Sequence, residues 1–540
     1  MQKRFMIILF LSFLFTTWTY AQLVNNGATI IVKNGATLHV DSDVTNTTGT
    51  LQLESNATLE VSGDFTSETA ASFDADANST VKFFGSASKN IKSGGDDFGK
   101  ILLNKDDAIN MTLTDAMEIT TNLDFTPANN NKLILGANNL AFASGATITN
   151  ADATHYIQAD GAGVVEKRFS ADGSFTYNIG DSDEYSPVTA NVSATSYGSA
   201  AKVAINVVDA VHPNLYSDAN AYLTRYWNVD VTDITGYSAT LTGTYTDADI
   251  TGTETNIKGA SYTSDWSFAN AGNDDTNNTV TGDVTSSTDF SGMNFYGKMA
   301  SLKAFLQGAY SGTEMTTTLN SSSLLPLTSP YGTGESVSSI PNANITDWIK
   351  IEIRDAADAS NILKSYSKFI NKDGQIYELD GTSTPKFKDA PTSGYIAIRH
   401  RNHLGIRTSS TLDFTANPSH DFTTASSQAY GTDPMKEVAS GVWAMWGGNA
   451  NQDAYVRAKQ TFIPPSTTIY SDRDYILNDV LGGDTNGQSD TYNSGDVNMD
   501  GHVRAKQTFI PPSTTIKSDR DFILNDVLGG NANGQKDEQL

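Results

Sequence analysis

The sequence predicts a mainly β protein: an N-terminal β-solenoid, two β-sandwich-like domains, and a small C-terminal module of duplicated loop-helix units. Three observations lead there. A strand-like phrase recurs at a nearly fixed step: Thr37-Leu38-His39-Val40 returns as Thr58-Leu59-Glu60-Val61 and as Thr80-Val81-Lys82-Phe83, at steps of 21 (58 − 37) and 22 (80 − 58). The middle of the chain is rich in apolar-polar alternation, the pattern of half-buried strands, and poor in helical periodicity. The last hundred or so residues are written twice: Val456 to Ile469 returns unchanged as Val503 to Ile516, 47 positions later (503 − 456).

Residues 1–21 read as an export signal. Lys3 and Arg4 form the charged end, Phe5 to Phe15 the apolar run, and Thr19-Tyr20-Ala21 a cleavage site before Gln22. The run is too short to span a bilayer comfortably, and no later stretch is a transmembrane candidate. The expected location is secreted or extracellular cell surface. The chain has no cysteine, which rules out disulfides and thiolate metal sites. Formal net charge is −26, or −28 once Lys3 and Arg4 are removed (−26 − 2). That charge disfavours nucleic acid and bare anionic membrane as partners and favours divalent cations.

Residues 22–163 carry the solenoid pattern. A second phrase, Thr29-Ile30-Ile31-Val32, Thr50-Leu51-Gln52-Leu53 and Ser72-Phe73-Asp74-Ala75, keeps the same steps of 21 and 22, and Val44 and Phe65 hint at a third strand per coil. Coils of this length bury an apolar row on their neighbours. Asn34-Gly35, Asn56 and Asn78 supply turns. Residues 164–298 read as a sandwich, with Ala201 to Val207, Tyr222 to Val231 and Ser238 to Tyr245 as strands and Trp227 as a core anchor. Residues 299–437 read as a second β-sandwich-like domain. In it Trp348 to Asp355 alternates with Ile349, Ile351 and Ile353 on one face, and Tyr395 to His403 is a strand running into a basic cluster, with Ile396, Ile398 and His400 on one face and Arg399 and Arg401 on the other.

Residues 438–540 are the duplicated module. Each copy opens with an acid/amide loop, continues through an irregular Pro-Pro connection, and ends in a short helix capped by Ser471 or Ser518. Two copies are expected to pack with approximate twofold symmetry. The second loop, Asp496-Val497-Asn498-Met499-Asp500-Gly501, fits the first half of a calcium loop, D-x-[DN]-x-[DN]-G. Alternate oxygen side chains can turn toward one hard cation, and glycine permits the bend. Asp496, Asn498 and Asp500 are the side-chain ligands, with His502 offering its backbone carbonyl. The twelfth position (496 + 11) is Gln507, so the bidentate acid must come from the helix start, Asp519 or Asp521. The first loop offers Asn449, Asn451 and Asp453, with Ala454 where glycine is wanted, and is the weaker site. A rival oxygen-rich loop runs from Asp484 to Asp490. The cofactor expected is calcium.

The Arg399-His400-Arg401-Asn402-His403 cluster has too few histidines for zinc. Its arginines are expected to pair with carboxylates and fix a domain contact, anion or sugar-acid binding being the other reading. No nucleophile elbow, zinc-protease motif, phosphate loop or dinucleotide fingerprint occurs, and the solenoid acids single out no pair. The expectation is that the protein is not an enzyme.

The phrases Leu302 to Tyr310, Pro330-Tyr331-Gly332, Trp348 to Asp355, Ala397 to Gly405 and Gly495 to Gly501 resemble large exported Bacteroidetes proteins of haemagglutinin-like or adhesin-like type. The doubled loops also resemble dockerins, which plug into cohesins. They depart from that pattern in the 47-residue repeat, the missing twelfth acid and the Pro-Pro interruption. The resemblance implies a secreted or cell-surface structural/adhesion protein, with a surface glycan or protein as its unidentified ligand and residues 438–540 as a docking element. The alternatives are a dockerin-like component of a polysaccharide-degrading assembly and a β-solenoid polysaccharide lyase or hydrolase.

Overall fold

Coils stacked at a step of 21 to 22 residues need each strand to hydrogen-bond in parallel with its copy one coil on. The computed structural model, which describes residues 22–126, 129–463, 467–510 and 514–540, has this arrangement. Thr37 pairs with Thr58 and Thr58 with Thr80, while Thr29 pairs with Thr50 and Thr50 with Ser72. Strands take 48% of the residues and helices 7%, which places the chain in the mainly β class, with a solenoid of about 7 turns. The export signal and the Pro-Pro steps at 464–465 and 511–512 lie outside the described residues. Among the described residues no helix is long and apolar enough to cross a membrane. The chain divides into two units, 1–266 with 272–293, and 267–271 with 294–540.

In the first unit two parallel ladders run along the solenoid. One passes through Leu23–Val32, Val44–Leu53, Phe65–Ser67, Lys89–Lys92, Met111–Leu113, Lys132–Ile134 and Tyr156–Gln158; the other passes through Thr37–Val40, Thr58–Val61, Thr80–Gly85, Phe98–Lys105, Met117–Phe125, Leu140–Phe142 and Val165–Arg168. Alternate residues point inward, so Leu59, Val61, Phe65, Phe83, Phe98 and Ile101 are fully buried. Polar residues at equivalent positions bond from coil to coil: Asn25 Nδ2 donates to Asn46 Oδ1 (2.9 Å), and Asp43 accepts from the Asp64 amide (2.8 Å). Phe65 meets Phe73 and Phe98 edge-on, at 4.9 and 5.3 Å between ring centres. Phe65→Ala should cost about 3–5 kcal/mol, since the neighbouring coils cannot collapse into the space. Chemical denaturation followed by circular dichroism measures it, and a loss under 1 kcal/mol would mean that the coils repack.

Val165–Arg168 ends one fold and begins the next. It pairs in parallel with Leu140–Phe142 on one side and antiparallel with Ser196–Val208 on the other. The solenoid sheet thereby continues into an antiparallel sheet that adds Tyr222–Thr235, Thr288–Asn294 and Ile257–Tyr262. A five-stranded antiparallel sheet, Gly173–Tyr177, Val188–Ser193, Ser238–Thr244, Thr279–Val284 and Gly272–Asp274, forms the other layer. Trp227 is wholly buried and donates Nε1–H to the Ser186 carbonyl (2.9 Å). A side chain at Gly243 would run into its ring at 2.6 Å.

The second unit is organised on an antiparallel sheet in the order Ile376–Tyr377, Ile362–Asn371, Ile345–Arg354, Ser393–His400 and His403–Arg407. Ile345–Arg354 is central. Its alternation promises one wet face, yet Glu352 and Arg354 are buried as well, joined by a 2.6 Å ion pair. Leu404 of this sheet packs into the core of the duplicated repeat with Trp446, Val456, Ile476, Val497, Val503 and Ile523.

The repeat has the expected twofold relation, and strand exchange builds it. Arg457 of the first copy pairs with Gln535, and Arg504 of the second with Gln488; both differences are 47 (504 − 457, 535 − 488). In each copy the strands flanking the Pro-Pro step form a hairpin, Thr461–Ile463 with Thr467–Ile469 and Thr508–Ile510 with Thr514–Ile516, where the sequence predicts an irregular connection. Each helix starts where its serine predicts: Ser471 Oγ accepts the Asp474 amide and Ser518 Oγ the Asp521 amide, both at 3.1 Å.

Candidate metal centre

The second loop curls around its own acidic side chains. Asp496 Oδ1 accepts the Asp500 amide and Oδ2 the Gly501 amide, both at 3.1 Å. Asn498 Oδ1 also accepts the Asp500 amide (3.1 Å), and Asp500 Oδ1 accepts that of His502 (2.9 Å). Gly501 has φ +86°, the left-handed conformation the motif's glycine provides for.

Asp519 closes the loop from the helix start. Its Oδ1 accepts the Val497 amide (2.9 Å) and its Oδ2 the Arg504 amide (2.7 Å). Of the two acids the sequence offers for this place, the structure brings Asp519 and not Asp521. The Asp521 carboxylate accepts the Ser518 hydroxyl (2.7 Å) and stays at the helix cap, because residues two apart at a helix start face different ways.

Asp496 and Asp519 are both fully buried. Burial pushes the Asp496 carboxyl up to about 6, although Arg401 pulls the other way. Burial also drives Asp519 well above the carboxylate range, and the charges of Asp496 and Asp500 add to it. Like charges gathered out of water are costly unless a proton or a cation is shared among them. Among the described residues no group of three or more His, Cys, Asp or Glu already stands at metal-ligating spacing. Here backbone amides engage the oxygens of Asp496 and Asp519, but each carboxylate oxygen has a second lone pair for a cation.

The first loop has the same plan with less charge. Asp472, one repeat before Asp519 (519 − 47), accepts the Asn451 amide (3.3 Å) and the Arg457 amide (2.8 Å). Sequence reasoning missed Asp472, although applying the repeat to Asp519 finds it. Burial pushes its carboxyl up to about 7. Asn449 stands where Asp496 stands; its Nδ2 donates to the Asp453 carbonyl (2.7 Å), and its buried Oδ1 has no partner. Asp453 Oδ1 accepts the Tyr455 amide (2.8 Å). Gln452 and Met499 take the left-handed conformation at equivalent positions, but Ala454 does not follow Gly501.

The rival loop gathers no acids. Asp484 Oδ1 accepts the Asn486 amide (2.9 Å) in a solvent-exposed Asx turn, and Asp490 pairs with the His502 ring (2.6 Å).

The basic cluster braces the repeat. Arg399 pairs with Glu352 (2.9 Å) and with Glu538 (3.0 Å), as the carboxylate-pairing expectation has it. Arg401 pairs with Asp347 (3.2 Å) and donates to the Asn493 carbonyl. It does not share a strand face with Arg399, because the strand ends at His400 and Arg401-Asn402 form the turn. Asn402 in that turn donates to the Asp496 carbonyl (2.6 Å), so it grips the second loop directly. His403 accepts the Gly308 amide at Nε2 (3.0 Å), and burial, with His400 and Arg401 beside it, holds its pKa well below the usual histidine value.

Compared with known proteins, the chain matches no family model, no curated sequence and no solved structure.

Proposed function

We propose that this is an exported structural or adhesion protein whose C-terminal repeat is locked by calcium. One observation carries the metal reading: Asp519, from a helix distant in sequence, is buried against the same loop as Asp496 and Asp500. Asp519 also accepts the Val497 and Arg504 amides, but its burial beside Asp496 and Asp500 gathers like charge that a bound cation would neutralise. All-oxygen donors and the absence of cysteine favour a hard cation over zinc. Ligands in this scheme are Asp496, Asn498, Asp500, the His502 carbonyl and Asp519, with Asn449, Asn451, Asp453 and Asp472 as a weaker second set. The solenoid's parallel ladders suit a stalk or an adhesive face.

Bound cation neutralises the buried carboxylates and stabilises only the folded repeat. At a hundredfold excess over Kd that amounts to about 2.7 kcal/mol, or roughly 5–10 °C in Tm for a unit of this size. Calorimetry of the mature chain in calcium and in chelator should therefore resolve one transition that moves and one that does not. Two transitions indifferent to calcium would remove metal from the account.

A further inference from the structure

In the sandwich of the first unit, Lys258 meets Asn273 between the two layers. Lys258 lies on Ile257–Tyr262, in the sheet that continues from the solenoid, and Asn273 on Gly272–Asp274, the outermost strand of the five-stranded sheet. Asn273 stands directly opposite Val280, which is wholly buried, so its side chain is on the inner face of its sheet. There Lys258 Nζ donates to Asn273 Oδ1. The pairing departs from the habit of this chain. With 61 acids against 35 lysines and arginines, a lysine here ordinarily finds a carboxylate, as Lys33, Lys82, Lys202 and Lys350 do. Among the described residues Lys258 makes no ion pair; it meets a neutral amide, and the Asp275 charge acts on it from farther off. Partial burial holds its pKa below the usual lysine value, which favours the free amine, the nucleophilic form.

We propose that Lys258 and Asn273 join in an isopeptide bond that staples the two layers of the sandwich together. Nζ, hydrogen-bonded to Oδ1, already lies beside the carbon that carries this oxygen, so the reacting groups are held together by the fold. The amine attacks Cγ, the Cγ–Nδ2 bond breaks, and Nδ2 leaves as ammonia. The proton that Nζ gives up goes to the leaving nitrogen, and Asp275, two residues beyond Asn273, is the carboxylate at hand to carry it. No oxidant or other reactant is consumed. The chain has no cysteine, so an amide is a covalent tie open to it where a disulfide is not. The bond closes a loop of 15 residues (273 − 258) and restricts the unfolded chain as a disulfide of that span does. It goes beyond the calcium reading and does not depend on it, since both residues lie in the first unit.

The test is mass spectrometry of the mature chain, denatured and digested with trypsin. A cross-linked Lys258 is not a trypsin site, so the chain from Tyr226 to Lys298 should be recovered as one piece, lighter than its residues by one ammonia. Lys258→Arg keeps the positive charge and a hydrogen-bond donor but has no amine to attack with, and Asn273→Ala has no amide to receive it. In both variants the full residue mass should return, and the melting transition of the first unit should fall by roughly 5–10 °C. In the parent chain, cleavage after Lys258 at full residue mass would overturn the bond, whether or not either variant folds. An ammonia loss in this piece that survived Lys258→Arg would overturn it as well, since it would belong to a succinimide at an asparagine.

Discussion

Asp519→Asn is expected to erase the calcium-dependent rise in Tm while leaving the calcium-free protein within about 1 kcal/mol of the parent. The two effects separate because the residue does two jobs. Without metal, Asp519 accepts the Val497 and Arg504 amides, and an asparagine keeps one of these bonds and loses the other. Against that loss it removes a fully buried charge that stands against Asp496 and Asp500. These terms are of similar size and opposite sign. With metal the balance changes, because a neutral amide cannot offer the cation two charged oxygens. Calcium affinity should fall by at least about a hundredfold, roughly 2.7 kcal/mol. Asp521→Ala is the control: it removes a carboxylate held by Ser518, costs about 1 kcal/mol as a cap change, and leaves the calcium response intact. Asp472→Asn, at the weaker loop, should alter the response less than Asp519→Asn. A calcium shift that survives in Asp519→Asn and vanishes in Asp521→Ala would move the ligand to the wrong helix position and defeat the scheme.

The solenoid was legible because its register is written in the chain. Thr37, Thr58 and Thr80 stand side by side because each coil repeats the same turn chemistry at the same step. The fold of the Asp496 to Gly501 loop was legible for a similar reason, since its alternating Asp and Asn side chains accept the loop's own backbone amides. What was not legible depends on distance. Glu352 sits on a strand whose alternation reads as polar-out, and only the arrival of Lys350, Arg354 and Arg399 around it makes burial tolerable. Arg401 reads as a strand residue until His400 pairs with His403 and turns the chain. The choice of Asp519 over Asp521 depends on how the helix is docked, which short-range pattern does not set. Val165–Arg168 falls just past the solenoid boundary set at 163, because nothing in its own sequence records that it pairs in parallel with the last coil as well as antiparallel with the sandwich.

Asp347→Ala should be the most damaging single change in the sheet that carries the repeat, at about 3–5 kcal/mol. The side chain is fully buried and serves several partners. Oδ2 accepts Arg401 Nε (3.2 Å) and His400 Nε2 (3.0 Å), and Oδ1 accepts the Tyr492 hydroxyl (2.8 Å). Alanine leaves the Arg401 guanidinium buried with its charge unanswered, which costs far more than the lost bonds alone. The pH dependence identifies the cause. Burial works to raise the Asp347 carboxyl, but Arg401's charge and the His400 hydrogen bond outweigh it, and its pKa lies below the usual value of 3.8. A carboxylate depressed in the folded state contributes stability that is present above its unfolded pKa and is lost as pH falls through the folded one. The gap between the parent and Asp347→Ala should therefore be flat from about pH 7 to 5 and narrow on acidification below about 4. Urea midpoints followed by tryptophan fluorescence measure it, Trp348 being the next residue and packed on Phe369 at 4.1 Å. A gap that stayed constant into strong acid would assign the loss to packing rather than to charge. The same cut should reach the metal loop, because Arg401 and Tyr492 hold the chain at Asn493, just before Asp496, and Asn402 holds Asp496 itself. Calcium should still stabilise Asp347→Ala, since every ligand remains, but half-saturation should need more of it, as the loop must be ordered at the metal's expense.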